Sequence, residues 1–357
     1  MAEQKQRIKG RGTASKPVAR YLSEQRESFD DGWEREETET KLLTTILPEK
    51  AKSIISRNQS PDIPFSQSIN PYRGCEHGCV YCYARPAHAY MDLSPGLDFE
   101  SKLFYKADAV ELLEKELSGK NYECSPIVLG SNTDPYQPIE REYEVTRNII
   151  KLLMKYNHPL TIITKSSLIE RDTDLLAVMA EKNLVKVYLS ITTLDNSLMQ
   201  KMEPRSTAPI RRLKTIHRLH EAGIRTGMMF APVIPFINDS EMEAILERGA
   251  ASGIESSSYV LLRLPYEIKE LFREWLELHY PLKASHVMSL IQQSRGGKDY
   301  DSEFSQRLFG TGQFAEIIRS RFSKICQKLN LNMGEKDELN CTDFIKPVRT
   351  GQQHALF

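Results

Sequence analysis

Short apolar runs that alternate with amphipathic stretches constrain this chain more than anything else in it. Ser66–Asn70, Pro126–Gly130, Leu160–Lys165, Val185–Thr192, Arg225–Ile234 and Ser257–Leu262 have the length and composition of strands. Helical periodicity marks Asp108–Leu117, Ile139–Tyr156, Asp172–Lys182, Pro209–Ala222, Ser240–Gly253 and Tyr266–His279. Asp172 and Ser240 stand where N-caps belong, and Gly223 and Gly253 where helices stop. Strand–helix alternation predicts parallel βα units of the α/β class, here an open partial (βα)6, TIM-like barrel.

The barrel accounts for residues 65–280. Beyond Pro281 the alternation stops, and residues 281–331 read as a C-terminal helical extension that includes Gln313 to Leu329. Residues 332–357 are polar with scattered aromatics and read as a covering tail. At the other end, residues 1–40 carry a basic half and then an acidic half, with little apolar surface to offset ordering, so a disordered, solvated tail is expected. Residues 41–64, with an apolar Leu42 to Ile55, read as a strap docked on the barrel. The formal net charge of +0 excludes a global field that would recruit polyanions. No run of about 18 apolar residues and no signal-peptide core is seen, so no membrane partner and a cytoplasmic location are expected.

Chemistry concentrates in NPYRGCEHGCVYCYARP, residues 70–86. Cys75, Cys79 and Cys82 are spaced C-x3-C-x2-C, and Gly74 and Gly78 let the loop turn its thiolates toward one point. Thiolates in this arrangement suit an iron–sulfur or a zinc centre. Zinc would need His77 or a distant cysteine as its fourth ligand, whereas a three-cysteine cubane leaves one iron open. Cys124, Cys326 and Cys341 are isolated and make no disulfide framework.

With Tyr81 before its third cysteine, this motif resembles the radical S-adenosylmethionine (SAM) superfamily signature, C-x3-C-x-aromatic-C. Together with SPGLDFE and SNTDPYQPIE it is similar, more narrowly, to a bacterial family in the spore-photoproduct-lyase-like, "DNA repair photolyase" branch, from about Thr44 to about Leu329. The resemblance implies a [4Fe–4S] cluster on Cys75, Cys79 and Cys82 whose open iron chelates SAM. It further implies a flavodoxin or ferredoxin as electron donor and reductive cleavage to a 5′-deoxyadenosyl radical that abstracts hydrogen from substrate. By the same resemblance Tyr81 contributes to the adenine pocket, and Thr133 and Asp134 take the place of the turn that holds the methionine ammonium. Ser190 faces the SAM carboxylate or ribose, Arg205 helps neutralise the SAM carboxylate or fixes its loop, and Asn238 caps the helix after an apolar adenine platform.

Strand-end position makes Lys165 and Arg263 candidate substrate anchors. No catalytic residue is assigned. Ser131 occupies the place of the lyases' hydrogen-donating cysteine, and a serine O–H is too strong to quench a thymine-type radical readily. Nucleic acid is the leading substrate class on family analogy alone. The alternative is a non-catalytic zinc- or iron–sulfur-binding module built on the same cysteines.

Overall fold

A computed structural model of the chain describes residues 8–22, 42–333 and 338–348. Its strands are β1 (Thr45–Glu49), β2 (Ile55–Arg57), β3 (Gln67–Ile69), β4 (Tyr72–Arg73), β5 (Lys102–Lys106), β6 (Ile127–Leu129), β7 (Leu160–Thr164), β8 (Val185–Ser190), β9 (Arg225–Val233) and β10 (Ser256–Leu261). Seven of them form one sheet in the order β10-β9-β8-β7-β6-β3-β2. Every neighbouring pair from β3 to β10 is parallel, and β2 runs antiparallel to β3 on the edge. The sheet is open, with β10 and β2 as its edges, as the partial barrel requires. All six expected strands are present and form its parallel part.

The major helices are α1 (Ala109–Leu117), α2 (Val145–Lys155), α3 (Thr173–Glu181), α4 (Pro209–Glu221), α5 (Met242–Ala251), α6 (Ile268–His279), α7 (Pro281–Gln293) and α8 (Gly312–Lys328). A main core packs α1 to α5 and α8 against the sheet through Ile69, Leu129, Ile162, Leu189, Phe230 and Ile318, all of them fully buried. Each such side chain contributes roughly 1.5–3 kcal/mol by leaving water. A second cluster joins Val80 and Tyr81 to Met202, Leu264, Phe272 and Trp275, so that the cysteine loop rests on α6.

Several local expectations are corrected. The helix expected over Ile139–Tyr156 is broken at Glu144, whose φ is 48°. Asp172 holds the position before α3 but makes no cap hydrogen bond. Its carboxylate is drawn away by Tyr136, Arg147 and Arg171. Asn238 likewise caps nothing with its side chain and instead bonds Ile234 N, Thr192 O and Pro232 O. Ser240 lies inside a short 3-10 turn rather than at a helix start.

The disordered tail expected over 1–40 is overturned for residues 8–22. Arg11, Gly12, Thr13 and Ala19 are buried there. Gly12 N and Thr13 N donate to Glu100 at 2.9 and 3.1 Å, and Arg11 Nη1 donates to Glu100 O at 2.6 Å. Specific polar contacts, not an apolar face, order this segment. Residues 1–7 and 23–40 of that expected tail, residue 41 of the expected strap, and 334–337 and 349–357 of the covering tail, lie outside the described residues. Strands β1, β4 and β5 form a small separate sheet that the sequence reading did not contain, with β1 parallel to β5.

Candidate cluster and cofactor site

The cysteine loop leaves β3 at the C-terminal end of the parallel sheet and is held by its backbone. Gly74 and Gly78 have φ of 76° and 65°, a region in which other residues are strained. Cys75 N donates to Phe99 O (2.9 Å), and Val80 N to Met202 O (3.1 Å). Gln137, fully buried, takes Glu76 N on its carbonyl (3.0 Å) and gives its amide to Gly74 O (3.1 Å). Arg85 Nε donates to Cys79 O at 2.9 Å. Cys75 and Cys79 are buried and Cys82 is half-buried; all three are free thiols.

Burial first, then the Asp134 carboxylate and the neighbouring thiols, push the Cys75 thiol well up. Burial pushes Cys79 up to about 12 against the opposing pull of Lys165. The loop therefore gathers soft donors with too little positive charge of its own to ionise them. An iron–sulfur core would supply that charge, and this donor set fits one. Among the described residues no group of three or more His, Cys, Asp and Glu side chains gathers as a single-ion site.

The other predicted residues arrive from neighbouring strand ends. Asp134, after β6, lies 3.3 Å from His77 Nδ1 through its Oδ2. Its carboxylate also accepts from Tyr136 N (2.9 Å), Thr164 Oγ1 (2.6 Å) and Lys165 N (2.7 Å). Burial opposes ionisation, but His77 and these donors hold it down at about 2. So many donors make the carboxylate a bracket between β6 and β7. Thr133 gives its hydroxyl to Tyr72 O at 2.9 Å, and Asn70 Oδ1 gathers Asn132 N (2.9 Å) and Thr133 N (3.4 Å) into the same turn. Ser131 Oγ receives Asn70 Nδ2 at 3.2 Å.

Tyr81 is buried and donates its hydroxyl to Glu203. Glu203, fully buried, also accepts from Thr192 Oγ1 at 2.8 Å and pairs with Arg212. Burial opposes its ionisation, yet Arg212 and Lys165 hold Glu203 at about 2. Arg212 is itself fully buried and reaches back to Ser190 O at 2.7 Å, which fixes the end of β8. Lys165 Nζ lies 5.9 Å from the Tyr81 ring centroid. Burial alone would lower its pKa, but Cys79 and Glu203 raise it above the ordinary lysine value. Arg205 pairs with Glu76 at 2.5 Å and donates its backbone N–H to His77 O, so it braces the loop from outside.

Arg263, after β10, stacks its guanidinium 5.1 Å from the Tyr83 ring, and its buried Nε has no hydrogen-bond partner among the described residues. The structure thus brings Tyr81, Asp134, Lys165 and Arg205 against the loop. Ser190 is connected to it through Arg212 and Glu203, and Arg263 through Tyr83. The sequence reading missed Glu203, Arg212, Gln137, Asn70 and the Arg85–Glu100 pair. Glu203 stood two residues from Arg205, and Arg85 three after Cys82, but nothing in their spacing marks a charge for burial.

An open parallel α/β sheet with a three-thiol loop at its C-terminal end defines the class, and the family comparison agrees: residues 69–249 match the Radical SAM superfamily, to which the chain belongs. An uncharacterized protein of Mycobacterium tuberculosis is 34% identical over 233 residues, 65% of this chain and 68% of that one. Another, from Methanocaldococcus jannaschii, is 30% identical over 237 residues, 66% of this chain and 84% of its own. Among solved structures, spore photoproduct lyase complexed with dinucleoside spore photoproduct matches with a TM-score of 0.55 at 14% identity, covering 80% of this chain and 79% of that one. That level of identity supports the shared fold. No helix among the described residues is long and apolar enough to cross a membrane.

Proposed function

We propose that this chain is a radical SAM enzyme that holds a [4Fe–4S] cluster on Cys75, Cys79 and Cys82, binds SAM beside it and abstracts hydrogen from a substrate at the barrel mouth. The observation that carries this reading is the packing of three free thiols on one buried, backbone-clamped loop within a matched superfamily domain. When bound, the cluster supplies one electron to the sulfonium of SAM, and the 5′-deoxyadenosyl radical so released takes a hydrogen atom from substrate. Flavodoxin or ferredoxin would deliver that electron.

The chain's own residues orient and insulate. Tyr81, fixed by Glu203, presents its ring on the loop and Lys165 keeps a positive charge beside it. Thr133 and the turn it closes offer carbonyls and a hydroxyl oxygen to an ammonium, while Asp134 contributes chiefly by bracing that turn. Ser190 and Arg205 line the approach to the loop from β8 and from the segment before α4. Arg263 and Lys165 are the cations placed to meet an anionic substrate group.

Anaerobic purification, iron and sulfide analysis, and EPR of the reduced protein with and without SAM test the reading. About four irons per chain and a reduced-cluster signal that changes on adding SAM support it. Cysteine-to-alanine changes at Cys75, Cys79 or Cys82 should abolish the signal and SAM cleavage together. A colourless protein with one zinc after anaerobic reconstitution would replace it with the metal-binding-module reading.

A further inference from the structure

Cys124 and Cys341, outside the cluster motif, meet at the end of the sheet opposite it. Cys124 lies in the turn that leads into β6. Cys341 belongs to residues 338–348, which cross the N-terminal ends of adjacent parallel strands. Asn340 N donates to Asn183 O, just before β8, and Ile345 N to Tyr156 O, just before β7, both at 2.9 Å. Lys346 Nζ reaches Lys120 O at 3.0 Å, on the approach to β6. The Phe344 ring packs on Tyr122 and His158, with centroids 5.8 and 5.2 Å apart. Within these attachments the Cys341 thiol lies beside that of Cys124. Both are free and half-buried. The fold, and no local turn, has brought together two sulfurs that nothing in the proposed reaction uses.

We propose that Cys124 and Cys341 form a reversible oxidation site, closing to a disulfide that fastens residues 338–348 across the N-terminal ends of the parallel strands. The oxidant is a low-molecular-weight disulfide. Cys341 Sγ attacks one of its sulfurs, forming a mixed disulfide and expelling the first small thiolate. Cys124 Sγ then attacks the Cys341 sulfur, closing the protein disulfide and expelling the second. The two electrons given up by the cysteines reduce the small disulfide to two thiols, which also take the two thiol protons. Burial and the adjoining Cys341 push the Cys124 thiol up. The motif cysteines sit at the other end of the strands, so this chemistry proceeds without them.

The test uses the full-length protein, purified without oxygen and incubated with oxidised glutathione. Thiols are then trapped by alkylation under acid-quenched, denaturing conditions and mapped by mass spectrometry. The expected result is a peptide pair joining Cys124 to Cys341 with the loss of two hydrogens, reversed by dithiothreitol, while Cys326 stays alkylated. Cys124→Ser should abolish the pair, and oxidised wild type alone should resist proteolysis after residue 338. Full alkylation of both cysteines, stable glutathione adducts without closure, or pairing of Cys341 with another cysteine would overturn the proposal. The map reports Cys75, Cys79 and Cys82 separately, so the cluster assignment stands or falls apart from this one.

Discussion

Arg85 and Glu100 meet at 2.6 Å with neither side chain exposed, and between them they join the cysteine loop to the N-terminal segment. Arg85 holds the Cys79 carbonyl (2.9 Å), and Glu100 receives Gly12 N, Thr13 N and the Thr13 hydroxyl (3.0 Å). Each charge is matched by the other and by further donors or acceptors, which is what makes such a buried pair tolerable.

Removing one member should be costly. Glu100→Gln leaves Arg85 buried with its guanidinium still bonded to the Pro95 and Gly96 carbonyls but with no counter-charge. We expect a loss of roughly 3–5 kcal/mol in urea unfolding and reduced iron retention after anaerobic reconstitution. A variant with unchanged stability would show that the pair is screened.

The close approach of Gly12 to the loop gives a second prediction. A Cβ at position 12 would fall 1.6 Å from the Gly78 carbonyl oxygen, so the backbone must move apart. Gly12→Ala should displace residues 8–22, cost on the order of 1–3 kcal/mol, and expose Arg11 and Arg20 to limited trypsin digestion. Equal digestion rates for variant and wild type would count against this docking of residues 8–22.

His158 sets a pH window. It is fully buried, with Nε2 2.7 Å from the Tyr122 hydroxyl and Nδ1 2.9 Å from Pro159 O. Burial lowers its pKa from 6.5 to about 4. Below pH 6.5 the unfolded chain takes up a proton that the folded one refuses. Stability attributable to this residue is therefore complete above 6.5 and declines as the pH falls toward 4, by roughly 3 kcal/mol. Unfolding measured at intervals across that window should show the decline, and His158→Gln should flatten it.

Arg263 tests the mouth of the barrel. Under the proposed function, Arg263→Ala should leave reductive SAM cleavage intact while lowering substrate-dependent kcat/KM about tenfold or more. Loss of both activities together would make it a structural residue of the Tyr83–Tyr300 neighbourhood.

The parallel strands after the first were legible because each is a short apolar run between helical periods, the first because apolar and polar residues alternate in it, and the three thiols because their spacing is local. What stayed hidden depends on distant partners. Asp172 and Asn238 carry cap-type side chains, yet tertiary donors and acceptors outbid the helix ends next to them. Glu203 and Arg212 read as ordinary surface charges until the fold closes a mutual pair over Ser190 O. The order of residues 8–22 rests on individual hydrogen bonds to Glu100, which leave no periodic trace in composition.

The docked segment 8–22 also bears on where this protein can be divided. The superfamily match spans residues 69–249, so a fragment cut to it would retain every motif cysteine and the parallel strands β6 to β9, but would lose β10 and the first two residues of β3. It would also strip Glu100 of three donors and uncover the Gly78 carbonyl. The cooperative folding unit is therefore larger than the region that defines membership, and a fragment trimmed to family limits would carry an interior carboxylate newly opened to water.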